Sequence, residues 1–146
     1  YNLKRNTMAH LVPSWVRKEQ VDLWVSDSGI LILLNESHTP NAITQRYVSD
    51  IIANEITDTG GIYTTGGIAV AGKVAVADGD NYSLDMTDIA IGPHTTINYR
   101  WGILAKNTGN QATSPIRAHI DFKTNQVINN GLSTIKWNTL GIMYVS

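Results

Sequence analysis

The sequence predicts a mainly β protein: an antiparallel β-sandwich or barrel-like domain with one α-helix at about residues 40–55 and an N-terminal arm. Short segments of alternating apolar and polar residues recur along the chain, and clusters of Gly, Asp, Asn and Ser separate them. A start signal together with helical spacing of apolar residues predicts a helix in one segment. With 146 residues, 42% of them hydrophobic, the chain can form one packed core. We therefore assign residues 1–20 to an arm and 21–146 to a single β-rich domain.

The arm is predicted from the unusual character of residues 1–20. Four basic residues precede the first acidic residue, Glu19: Lys4, Arg5, Arg17 and Lys18. No strand-like or helical period runs through the segment, and Pro13 interrupts it. These features indicate a segment outside the core. The alternative is a first strand or turn packed on the domain, because Trp15 needs an apolar surface to cover it.

Two strands are predicted directly after the arm. Val21–Val25 alternates apolar and polar residues, and a Ser-Asp-Ser-Gly turn follows at 26–29. Ile30–Leu34 is a continuous apolar run. Such a run is typical of a central strand that is buried on both faces.

The helix is predicted from a start signal and from apolar spacing. Thr39-Pro40 offers an N-cap followed by proline at the first helical position. The apolar residues that follow lie on one face of a helix: Ile43, Tyr47, Val48, Ile51 and Ile52. The helix should end near Glu55, because the turn residues at 58–61 break it.

The rest of the chain predicts strands and turns. Asp78-Gly79-Asp80-Asn81 is a strong hairpin-turn signal, and Gly72 indicates a bulge. One face of a strand should carry Ile97, Tyr99, Trp101 and Ile103, and one face of another Ile116, Ala118, Ile120 and Phe122. The predicted strands cover 68–77, 82–91, 95–106, 114–122, 132–137 and 141–145.

Composition narrows the classes of function. Only 16% of the residues are charged, against about 25% in an average soluble domain, and the net charge is -1. We therefore expect neither a nucleic-acid nor a membrane partner. The absence of cysteine excludes disulfides and thiolate chemistry. No apolar segment follows the N-terminal basic residues, so we expect no secretory signal.

No motif predicts catalysis, a cofactor or a metal. The four histidines lack the spacing of a zinc site, and no nucleophile elbow or phosphate-binding loop is present. The acidic stretch Asp78–Asp88 fails as an EF-hand, because Ser83 stands where glycine is needed and Ile89 where a glutamate belongs. An irregular Ca²⁺ site there stays open, and we expect a protein that is not an enzyme.

A series of short motifs resembles a family of small tailed-bacteriophage virion structural proteins. The motifs span roughly residues 30–145 and occur in the family's order. The first two are Asn35-Glu36-Ser37-His38-Thr39-Pro40-Asn41 and Tyr47-Val48-Ser49-Asp50-Ile51. The later ones include Thr59-Gly60-Gly61-Ile62-Tyr63, Thr96-Ile97-Asn98-Tyr99-Arg100-Trp101 and Trp137-Asn138-Thr139-Leu140-Gly141.

The resemblance implies a capsid decoration, or cement, protein on the outer surface of the head, made in the cytoplasm of the bacterial host. It implies two partners, the major capsid protein and further copies of this chain, with a trimer as the expected oligomer. The arm would then contact the shell through Lys4, Arg5, Trp15, Arg17 and Lys18. Removing residues 1–18 should abolish capsid binding and leave the β domain folded.

The alternative role is a head or tail fibre or neck component that acts as a host-binding or adaptor module. That role predicts exposed aromatic side chains on the loops around Tyr63 or Tyr82.

Overall fold

A computed structural model describes residues 13–58 and 62–137, and the backbone of 143–145. The chain begins there with one α-helix, α1 (Ser14–Ser26), and includes two 3-10 helices, Val48–Asp50 and Ile52–Asn54. Within these ranges no helix is long and apolar enough to cross a membrane. The strands are β1 (Gly29–Leu34), β2 (Ile68–Ala69), β3 (Val74–Asp78), β4 (Asn81–Asp85), β5 (Ile89–Lys106), β6 (Ile116–Ile135) and β7 (Met143–Val145).

The strands form two antiparallel sheets, which confirms the mainly β class. The larger sheet has the order β2-β1-β5-β6 and the smaller one β3-β4-β7. The described strands do not close into a barrel. One hydrophobic core contains residues of both sheets, such as Leu31 of β1, Tyr99 of β5 and Leu84 of β4. Val21 of α1 is buried in the same core.

Strand β1 is the centre of the larger sheet, as its apolar run predicts. Leu31 and Leu33 lie in the core shared with the smaller sheet. Ile30, Ile32 and Leu34 lie in a second core on the opposite face. Residues 48–52, which include parts of the two 3-10 helices, cover that second core. The prediction of a central strand buried on both faces is confirmed.

The predicted helix at 40–55 is wrong. The Asn41 side chain accepts hydrogen bonds from the Ile43 and Thr44 amides at 2.9 and 3.0 Å, and Ile43 is 93% exposed. The Asp50 carboxylate accepts from the Arg46 and Tyr47 amides at 2.9 and 2.8 Å. These side-chain bonds compete with helical bonds for the same backbone groups.

Backbone pairing with a distant segment also excludes that helix. The Val48 amide donates to the Ser114 carbonyl at 3.0 Å, and the Ile116 amide donates to the Arg46 carbonyl at 2.9 Å. An extended segment at 46–48 is therefore bonded to the start of β6, and only two short 3-10 helices follow it.

The strand predicted at Val21–Val25 is also wrong, because these residues belong to α1. Val21, Trp24 and Val25 stand at helical spacing and pack into the shared core, whereas Leu23 is exposed. The predicted boundary between arm and domain at residues 20 and 21 falls inside this helix. Residues 1–12 of the predicted arm lie outside the described residues.

The remaining predicted strands are present, but several of their boundaries differ from the prediction. The hairpin turn at Gly79-Asp80 between β3 and β4 is confirmed. The segment 68–77 is split into β2 and β3 around Gly72, which has φ +64°. Strand β6 joins two segments that the pattern separates, 114–122 and 132–137. Of the strand predicted at 141–145, the part at 143–145 is β7, and the rest lies outside the described residues.

Strand β5 does not keep one apolar face. Ile97 and Tyr99 pack in the shared core, but Trp101 and Ile103 pack in the second core. The pairing of β5 with β6 shifts register between Tyr99 and Trp101. This irregularity moves the following side chains to the other face, as a bulge does. A similar shift near Ala105 places Ile116 in the second core, away from Ala118 and Ile120.

Candidate functional site

Helix α1 carries three of the five predicted capsid-contact residues. Trp15, Arg17 and Lys18 lie in it, and Lys4 and Arg5 lie outside the described residues. The side of α1 with Val21, Trp24 and Val25 packs against the core. The three predicted residues are therefore part of the folded domain rather than of a separate arm.

Two large apolar side chains project from the outer side of α1. Trp15 is 63% exposed and Leu23 is 58% exposed. They stand eight positions apart, slightly more than two helical turns, so they leave the helix on adjoining sides. We call Trp15 and Leu23 the outer face of α1. Tryptophan is one of the residue types enriched among the anchors of protein interfaces.

Arg17 holds the helix to the smaller sheet. Its Nη1 donates to the Asp80 carbonyl at 2.9 Å and to Asn81 Oδ1 at 2.8 Å, at the turn between β3 and β4. Lys18 lies on the surface and pairs with Asp22 one helical turn away, at 2.6 Å. Its hydrogen bond to Asp22 raises the pKa of Lys18. Of the two cations, Lys18 is the more exposed.

The C-terminal end of α1 is fixed by charged side chains. Lys73 Nζ donates to the Trp24 carbonyl at 2.8 Å and to the Asp27 carbonyl. The Asp27 carboxylate receives two bonds from Arg117 of β6, at 2.7 and 3.0 Å. Burial lowers the pKa of Lys73. Because these bonds occupy carbonyls that a helix end leaves free, they anchor α1 at the end opposite Trp15.

An open groove of about 760 Å³ lies at the far end of β1. Its walls come from residues 35–37, 55–57, 96–98 and 127–129. Three asparagine side chains line it, Asn35, Asn98 and Asn129, together with serine and threonine hydroxyls. No arginine, lysine or aromatic residue belongs to these walls. The groove therefore offers neutral hydrogen-bonding groups and two carboxylates, Glu36 and Glu55, but no cation for a phosphate or carboxylate.

The buried Tyr63 fixes a carboxylate in the groove wall. The Tyr63 hydroxyl donates to Glu55 Oε1 at 2.8 Å and accepts from the Leu33 amide at 3.0 Å. The Gly66 amide donates to the same Glu55 oxygen at 2.7 Å. Burial raises the pKa of Tyr63, so the hydroxyl stays protonated. The other carboxylate oxygen, Oε2, is buried without a hydrogen-bond partner.

Two histidines are in contact, His38 in the segment after β1 and His119 of β6. His38 Nε2 lies 3.2 Å from His119 Nδ1, and the ring planes are parallel within 6°. Since most of the 5.4 Å between the ring centroids lies along the line joining these nitrogens, the rings share one N–H···N bond edge to edge. Trp101 packs against His38 edge-on at 5.8 Å. Burial lowers the pKa of both histidines.

The structure brings no metal-ligand cluster together in the ranges it describes. Two aspartates of the acidic stretch accept hydrogen bonds from backbone amides. Asp85 accepts from the Met86 amide at 2.8 Å, and Asp88 accepts from the Trp137 amide at 3.1 Å. Asp78 and Asp80 flank the hairpin turn.

The aromatic cluster that a host-binding role predicts is not found at the expected positions. Tyr63 is buried, and its hydroxyl is used inside the fold. Tyr82 is half-buried and packs against the shared core.

Some exposed apolar residues were not predicted from the sequence, because the elements that carry them were assigned differently. Leu23 is exposed because its segment is helical, and the helical spacing of Val21, Trp24 and Val25 is the signal that could have shown this. Val127, on a part of β6 that the pattern left without a strand, is 71% exposed, and Leu132, at the start of the strand predicted at 132–137, is 61% exposed.

Comparison of the chain with known protein families, with curated proteins and with solved structures finds no match.

Proposed function

We propose that this chain is a bacteriophage virion structural protein of the capsid decoration type. It binds the major capsid protein on the outside of the head and stabilises the shell, after synthesis in the cytoplasm of the bacterial host. The observation that carries the proposal is the outer face of α1, where Trp15 and Leu23 are exposed on a helix fixed at both ends. The motifs at roughly residues 30–145, which resemble small tailed-bacteriophage virion structural proteins, favour this class of protein.

The chemistry of the surface supports a protein partner. Charged residues are scarce, and Trp15 of α1 is an exposed side chain of a type that is enriched among the residues that dominate binding energy in interfaces. A shell offers the same site many times over. A modest affinity at each site is therefore sufficient when a copy bridges neighbouring subunits.

The two other roles have less support in the described residues. A host-binding fibre module predicts exposed aromatic residues that Tyr63 and Tyr82 do not provide. For catalysis, the groove offers Glu36 and Glu55, but each accepts a hydrogen bond within the fold, and the histidine pair is not among the groove residues. We retain the prediction that the chain is not an enzyme.

The copy number of this chain in purified virions tests the class. We expect about one copy for each major capsid protein, measured by quantitative mass spectrometry, since decoration proteins occupy a repeated surface site. A small multiple that matches tail or vertex symmetry would instead assign the chain to a fibre or neck. Absence from the particle would rule out both roles.

Capsid binding by point variants tests the proposed surface. Removing residues 1–18, the experiment that the sequence suggests, would also delete the first residues of α1 and the bonds of Arg17. We therefore choose Trp15→Ala and Leu23→Ala, and expect Trp15→Ala to weaken binding to undecorated capsids at least about tenfold. Ile43→Ala is the control, because Ile43 is exposed on a different segment. Equal binding by all three variants would contradict this surface.

A further inference from the structure

The sequence contains one Asn-Gly pair, Asn130-Gly131, and the pair lies within β6. Asn130 is exposed and Gly131 is half-buried. An asparagine in this setting can react with its own backbone, because the amide nitrogen of the next residue can attack the side-chain carbonyl carbon. Glycine favours that attack, since it has no side chain to obstruct the approach. The pair is therefore a candidate site of chemical modification.

A bulge interrupts the regular strand at this pair. Residues 95–97 of β5 pair with residues 128–131 of β6, so β6 has one extra residue over this interval. Asn130 lies there with φ +47°, which is outside the strand region. Its backbone amide donates to the Thr96 hydroxyl at 3.0 Å. The regular pairing that fixes a strand backbone is therefore interrupted at Asn130.

The fold does not require glycine at position 131. The φ of Gly131 lies outside the left-handed region that favours glycine. A Cβ at this position would lie 3.5 Å from Ile128 Cγ2 and 3.7 Å from the Asn129 carbonyl oxygen, both ordinary van der Waals distances. Alanine therefore fits at position 131, and Gly131→Ala changes the reactivity of the pair without a steric conflict.

The side-chain amide of Asn130 faces His94. Asn130 Oδ1 lies 3.2 Å from His94 Nδ1. Because an amide oxygen only accepts hydrogen bonds, this bond requires a hydrogen on Nδ1. Such a bond stabilises the negative charge that develops on Oδ1 when a nucleophile attacks Cγ. The amine that would leave, Nδ2, makes no hydrogen bond with the described part of the chain.

We propose that Asn130 deamidates spontaneously in the folded protein. The Gly131 amide nitrogen loses its hydrogen and bonds to Asn130 Cγ, the Cγ–Nδ2 bond breaks, and ammonia leaves. The product is a cyclic succinimide, which water then opens. Attack of water at Cγ gives aspartate, and attack at the backbone carbonyl carbon gives isoaspartate, in which the chain continues through Cγ. The two steps exchange ammonia for water and involve no oxidation or reduction.

Either product changes the middle of β6. Thr124–Ile135 contains no charged residue, and deamidation places a carboxylate there, next to His94. Isoaspartate also lengthens the backbone at the bulge, which displaces the pairing between β5 and β6 beyond it. Asn129, the residue before the modified one, lines the groove. The inference does not depend on the capsid role.

Incubation of the purified full chain at mildly alkaline pH, followed by peptide mapping with mass spectrometry, tests the site. Conversion at Asn130 should be at least about tenfold faster than at its exposed neighbour Asn129, since only Asn130 precedes glycine. Gly131→Ala should slow conversion at Asn130 at least about fivefold, because a Cβ on the attacking residue hinders the approach to Cγ. Equal conversion at the two asparagines, or an equal rate in Gly131→Ala, would overturn the proposal.

A parallel incubation in urea tests whether the folded protein reacts. Because Asn130 is exposed at a bulge, its rate in the folded chain should lie within about tenfold of its rate in the unfolded chain. Conversion in urea alone would mean that the fold protects Asn130, and it would overturn the proposal. Circular dichroism verifies that Gly131→Ala is folded. Capsids are absent from these experiments, so their outcome is independent of the capsid-binding test.

Discussion

A single side chain can join strand β1 to a distant loop through hydrogen bonds. Tyr63 is the clearest case, because one hydroxyl bonds both the Leu33 amide of β1 and the Glu55 carboxylate. Leu33 and Tyr63 are both buried. A buried backbone amide that loses its acceptor costs free energy, so this bond links the loop at 62–66 to the sheet.

Tyr63→Phe should destabilise the protein by about 1–3 kcal/mol, since the ring still fills its site while the Leu33 amide and Glu55 lose a partner. Chemical denaturation measures the free energy of unfolding. Tyr99→Phe is the matched comparison, because the Tyr99 hydroxyl makes only a longer contact of 3.3 Å with Ser133. A smaller loss for Tyr63→Phe than for Tyr99→Phe would contradict this account.

The bonded pair His38–His119 should make stability depend on pH. Burial lowers both pKa values below the ordinary 6.5, so the folded protein binds protons less tightly than the unfolded chain. The free energy of unfolding is therefore highest above 6.5 and falls as the pH drops through the lowered pKa values. Denaturation between about pH 5 and 8 measures this dependence.

A double variant isolates the contribution of the histidine pair. In His38→Gln with His119→Gln the fall in stability below the ordinary histidine pKa should be reduced, because the two titrating groups are gone. His94→Gln is the control, since His94 is exposed, and it should retain the original profile. An unchanged profile in the double variant would assign the pH dependence to other groups.

At the scale of elements, α1 shows how one segment can satisfy two patterns. Val21–Val25 alternates like a strand, yet Val21, Trp24 and Val25 also stand at helical spacing. The helix forms because its inner side packs into the shared core. Two hydrogen bonds also join it to neighbouring segments, from Lys73 to the Trp24 carbonyl and from Arg17 to the Asp80 carbonyl. Segment 40–55 shows the reverse, since its helical spacing is overridden by backbone pairing with 114–116.

Two substitutions in α1 separate its inner and outer sides. Val21→Ala should destabilise the protein by about 2 kcal/mol, because Val21 is fully buried in the shared core. Leu23→Ala should change stability by less than about 0.5 kcal/mol, as exposed positions do. Thermal unfolding of both variants measures the difference. Similar effects of the two substitutions would mean that α1 does not pack by its Val21 side.

For the whole molecule, the larger sheet is covered on both faces by different means. Helix α1 and the smaller sheet cover one face, and residues 48–52 cover the other. The exposed large apolar side chains include Trp15 and Leu23 of α1 and Val127 and Leu132 of β6, so they come from separate elements.

The sequence alone determined the features that neighbouring residues control. The β1 run, the turn at Gly79-Asp80 and the mainly antiparallel class depend on local apolar content and turn chemistry, and the structure confirms them. Trp15 was chosen from the sequence as a candidate contact residue in an arm outside the core. It is exposed in the structure, but it lies in helix α1.

Tertiary structure alone decided the location of the helix, the faces of β5 and the exposure of Val127 and Leu132. Segments 21–25 and 40–55 each carry apolar spacing compatible with more than one structure, so distant partners such as Leu84 and Ser114 selected between them. The shift after Tyr99 and the bulge at Asn130 arise from pairing between strands. No local pattern encodes that pairing, because one inserted residue reverses which side chains are buried.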